Sequence, residues 1–195
     1  MSLQRVFDPE KVAHYEAAGW EAYYDRNWPR VLRLMVQLNR EQFGLSWFQA
    51  IAAAVDIVRA SIAFAPQDND ALKATAYLQR FYAKARRAQQ IDADAATLAA
   101  REIDYWIVHR QLAVTRKVDP QHNGSIEPMV RSLALLHAAL FNATPAAMRT
   151  SAELRAQAAA AVDRITGRYS TDVAEDWRQV GQLLSQAYRA VQENL

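Results

Sequence analysis

A chain of 195 residues, 51% hydrophobic and 23% charged, has the composition of a globular protein and is long enough to bury a core without covalent staples. It contains no cysteine, which excludes disulfides, thiolate metal sites, iron–sulfur clusters and a cysteine nucleophile. The net charge is only +2 and both signs are interleaved along the chain, which argues against the dense positive face that nucleic-acid binding needs.

The N-terminal stretch MSLQRVFDPEK has no apolar h-region, so no signal peptide is expected. With the lack of cysteine, this makes the expected location cytoplasmic. Asp8 before Pro9 pairs an N-cap with a proline at the first helical position and predicts a helix over 9–24. Asn27 or Trp28 before Pro29 starts the next, over 29–43, with Gly44 as its C-terminal cap. Ser46 caps a third over 46–64, ended by Pro66. This segment is apolar on most sides, which places it in the middle of the bundle. Its most apolar run, Ile51 to Phe64, is interrupted by Asp56 and Arg59 and reads as too short for a bilayer, so no membrane is expected as a partner. Asp56 and Arg59, three apart, read as a local ion pair.

Asp68 and Asp70 cap a fourth helix over 71–88, whose basic residues Arg80, Lys84, Arg86 and Arg87 form a solvated face. Asp92 or Asp94 caps a fifth, which ends near Val118. Asp119-Pro120 and Asn123-Gly124 carry the strongest loop signal and predict the most mobile internal connection, with His122 solvated inside it. Ser125 with Pro128 reopens a helix over 127–143, and Thr144-Pro145 makes a short turn. Ser151 leads into a helix over 151–167 stopped by Gly167, and Thr171 opens the last over 172–192. No alternating apolar run is bounded by hairpin turns, and no repeat of 20–50 residues is present. The predicted fold is all-α: an irregular antiparallel helical bundle of seven to nine helices in a single domain.

Chemistry is suggested at one place. In the fifth helix Leu98, Glu102, Tyr105, His109 and Leu112 follow at intervals of four, three, four and three, one continuous stripe that meets neighbouring helices. Glu102 and His109 therefore stand where a core helix carries Leu or Ile, and they need partners there. The first helix echoes the pattern with Glu10, His14, Ala17, Glu21 and Tyr24, which makes His14 and Glu21 the expected partners of Glu102 and His109. A metal site shared along such a stripe is disfavoured. Residues seven apart are separated by about 10.5 Å along a helix, and no Glu-x-x-His or His-Glu-x-x-His pair exists to close the gap. The residues that could bind a small ligand are His14, Glu21, Tyr24, Glu102, Tyr105, Trp106 and His109, with the aromatics Tyr15, Trp20, Tyr23 and Trp28 near them in sequence. His137, in SLALLHAALF, reads as a core histidine bonded to a backbone carbonyl.

No nucleophile elbow, glycine-rich phosphate loop or dinucleotide fingerprint is present, and no motif assigns a catalytic residue or a cofactor. The first functional expectation is an interaction or scaffold module that binds itself (a homo-oligomer) or a protein partner through surplus apolar faces such as Trp47-Phe48 and Leu183-Leu184. The alternative is a small-ligand- or metal-binding helical protein, an enzyme included, that uses the two His/Glu stripes.

Overall fold

The computed structural model describes residues 7–118 and 125–195. Helix covers 79% of this, in eight helices with no strand among the described residues. They are α1 (Pro9–Tyr24), α2 (Trp28–Phe43), α3 (Trp47–Phe64), α4 (Ala71–Gln89), α5 (Ala95–Val118), α6 (Glu127–Leu140), α7 (Arg149–Thr166) and α8 (Val173–Gln192). The connection predicted over 119–124, with His122, lies outside the described residues.

Local chemistry sets most of the helix starts. Asp8 Oδ1 accepts from the backbone N–H groups of Glu10 and Lys11, and Asn27 Oδ1 from that of Arg30. Ser46 and Gln49 form a reciprocal capping box at the start of α3, each side chain accepting from the other residue's N–H. Asp70, Asp94 and Asp172 each accept from the N–H three residues on. Gly44 ends α2 in the left-handed region at φ 64°, which glycine reaches without a Cβ penalty. α7 begins at Arg149 rather than Ser151, and the Ser151 hydroxyl is engaged with His137 rather than capping.

Each helix packs on its successor, as short connections between antiparallel helices favour, and α8 returns to α1. The eight helices thus close into a ring. The closing seam is polar as well as apolar: Ser185 and Arg189 of α8 both donate to Glu10, and Gln192 donates to the Phe7 carbonyl. Phe7 meets Tyr188 edge to face at 5.7 Å.

Four sequence expectations are corrected at α3 and α8. α3 is not central: it packs mainly against α2 and α4, and Trp47, Phe48, Ile51 and Ile62 stand exposed, Phe48 by 87%. Nor is it too short for a bilayer. The helix reaches back to Trp47, and its 18 residues at mean hydropathy 1.4 are long and apolar enough to cross a membrane by length and composition, with a third of them buried inside the molecule. Asp56 pairs with Lys84 of α4 at 2.5 Å rather than with Arg59, whose guanidinium lies over the Tyr77 ring of the same helix at 5.9 Å. In α8, Leu184 is fully buried and offers no surface for a partner.

Candidate functional site

The ring holds a cavity of about 470 Å³ that opens to solvent and whose lining draws on all eight helices. Aromatic and aliphatic side chains make most of its wall, among them Trp20, Tyr23, Met35, Phe64, Phe81 and Trp106. α1 comes close to α2 here because Gly19 has no side chain; a Cβ at that position would lie 2.6 Å from the Met35 methyl.

Into this wall are set three polar groups. The first joins α1, α7 and α8. Arg155 reaches Glu16 through Nη1 (2.8 Å to Oε2) and Nη2 (2.5 Å to Oε1), and the Tyr188 hydroxyl donates to the same Oε2 at 2.5 Å. Burial is the largest influence and would lower the basicity of Arg155, but the Glu16 charge together with the nearby Tyr188, Tyr105 and Glu102 outweighs it and holds the guanidinium above its ordinary value. The second group is Glu102 on α5. Its Oε2 accepts from the Tyr82 hydroxyl at 2.8 Å and its Oε1 from the Trp106 indole N–H at 2.7 Å. Burial raises its carboxyl above the ordinary value, against the pull of the Arg155 charge and these two donors. The third group is Asp163 on α7, which accepts from Arg116 at 2.6 Å and lies 2.9 Å from His109 Nε2. Arg116 donates to one Asp163 oxygen, so the His109 N–H is the natural donor to the other.

Two further groups complete the wall. The Tyr105 ring lies parallel to His109 at 5.9 Å. Tyr105 is only 4% exposed and lines the cavity, yet its hydroxyl makes no hydrogen bond to another described residue. Burial raises the phenol, so it stays protonated and able to donate. His137 bonds the Ser151 hydroxyl at 3.0 Å rather than a backbone carbonyl, and burial pushes its imidazole down to about 3, so it is neutral.

Tyr24, Glu102, Tyr105, Trp106 and His109 are thus brought to one cavity. His14 and Glu21 are not. They face a surface groove between α1 and α8, where His14 is exposed and Glu21 pairs with Arg30 at 2.8 Å. The partners expected for Glu102 and His109 are therefore replaced by Tyr82, Trp106 and Asp163. The reason is register: α1 turns Val12, Glu16, Gly19 and Tyr23 inward, a stripe with the same four-three-four spacing set two positions along from the one that carries His14. Sequence reasoning also missed Arg155, Asp163 and Tyr188. A signal existed for Asp163, which extends the small-residue stripe Ala152, Ala156, Ala159 by one more turn. No group of three or more His, Asp or Glu side chains among the described residues could hold a metal ion.

The chain matches no protein-family model, no curated protein and no solved structure.

Proposed function

We propose that this protein binds a small organic molecule inside its ring of helices. The observation that carries this reading is the cavity itself: at about 470 Å³ it falls within the range of small-molecule sites, and its largely apolar wall holds a few convergent polar groups. A purely structural ring would be expected to fill this space, since protein interiors pack about as densely as organic crystals. Trp20 and Trp106 stand in the wall and make occupancy readable by intrinsic fluorescence.

A thermal-shift screen of one- and two-ring aromatic amines, alcohols and acids, followed by fluorescence titration of the hits, tests the reading. Ala113 lines the cavity from α5, so Ala113→Trp takes up part of it. Saturable binding that disappears in Ala113→Trp, with helix content unchanged by circular dichroism, supports the proposal. Hits that bind the variant equally well, or a screen without hits, overturn it.

A second reading, self-association, is favoured by one feature, the exposed apolar face of α3 with Trp47, Phe48, Ile51 and Ile62. Light scattering on the full chain decides it: a dimer that Phe48→Glu dissociates supports self-association, and a monomer at high concentration ends it.

A further inference from the structure

We propose that the cavity selects an organic cation, an apolar or aromatic body carrying a protonated amine, with Glu102 as its counter-charge. The proposal rests on the reading of the cavity as a ligand site and adds the charge of what it takes.

The charged groups at the wall differ in how they are partnered. Arg155 directs both terminal nitrogens to Glu16, and its Nε–H, though unpartnered, is closed off from the cavity. Asp163 is held between Arg116 and His109. Arg110 spends its donors on the carbonyl oxygens of Phe64 at 2.5 Å and Pro66 at 2.9 Å, which neutralises the negative end of α3. Among the carboxylates of the wall, Glu16 and Asp163 thus have oppositely charged partners, while Arg110 meets only carbonyl oxygens. Glu102 is different. Its direct partners are two neutral donors, Tyr82 and Trp106, and Arg155 acts on it only through space. A carboxylate in a low-dielectric wall is stabilised most by a cation brought to it.

The surroundings fit a cation as well. Tyr82 and Trp106 flank Glu102 on the α4 and α5 sides of the cavity, and aromatic rings attract ammonium groups. The free Tyr105 hydroxyl sits one turn along α5 from Glu102 and can hydrogen-bond a polar substituent on the same ligand. A carboxylate ligand finds no comparable welcome, because the two arginines that line the cavity are already committed and two glutamates face it.

Isothermal titration with three matched probes tests the inference: 2-phenylethylamine as cation, 2-phenylethanol as neutral isostere and 3-phenylpropionate as anion. The parent protein is expected to bind the amine about tenfold more tightly than the alcohol, and the acid most weakly. Glu102→Gln should abolish the preference for amine while leaving the alcohol's affinity in place, and Glu102→Asp should keep most of the preference. Equal affinities, tightest binding of the acid, or an amine preference that survives Glu102→Gln overturns the cation inference alone. Binding of none of the three overturns it together with the cavity reading. The order of the three probes on the parent decides the matter even where a variant fails to fold.

Discussion

Glu16 and Arg155 lie 139 positions apart and meet inside the ring through two contacts of 2.8 and 2.5 Å, with the Tyr188 hydroxyl on the same carboxylate. Their side chains are 8% and 13% exposed, so the pair is buried where the first, seventh and eighth helices converge. Removing one partner strands the other in low dielectric. Arg155→Met is expected to destabilise the fold by about 3–5 kcal/mol. Arg155→Met with Glu16→Leu should recover much of that loss, since a paired apolar replacement leaves no lone charge. Urea denaturation of the two single variants and the double variant measures the coupling. Additive losses would mean that the pair does not act as a unit.

His137 makes a pH-dependent contribution of known sign. Its folded value of about 3 lies below the 6.5 of a free imidazole, so the unfolded chain binds the extra proton. The contribution is fully present above pH 6.5 and is lost as the pH falls toward 3. By pH 4.5 the loss amounts to roughly 2–3 kcal/mol. His137→Gln should therefore lose less stability than the parent between pH 7 and pH 4.5. Parallel slopes for the two proteins would contradict this.

Gly19 is not required for its backbone freedom, because it lies within a regular helix. The atom a Cβ would meet is the end of the flexible Met35 side chain, which can turn aside into the cavity. Alanine also gains about 1 kcal/mol of helix propensity over glycine. Gly19→Ala is expected to leave stability within about 1 kcal/mol of the parent. The thermal midpoint reads this directly, and a large drop would show that the wall is rigid at Met35.

Asn39 is fully buried in α2, and neither its amide nitrogen nor its oxygen has a partner. Each such group lowers stability by about 1–3 kcal/mol. Asn39→Leu, close in volume, is expected to raise the denaturation midpoint. An unchanged or lowered midpoint would show that the amide is satisfied in solution.

The all-α class and most helix boundaries were legible because they depend on neighbours within a few residues. Asp8 with Pro9, Ser46 as an N-cap and Gly44 as a C-terminal cap act locally, and the structure keeps all three. The stripe on α5 was legible for the same reason: residues at helical spacing share a face whatever surrounds them, and Glu102 and Tyr105 turn to one cavity with Trp106 beside them. Which face of α1 turns inward was decided only by tertiary packing. Two stripes on that helix have the same spacing, and both carry a glutamate. Glu16 lies inside because Arg155 and Tyr188 are there to meet it, while Glu21 stays outside with Arg30. Burial of a charge is settled by partners distant in the chain, and helical periodicity contains no information about them.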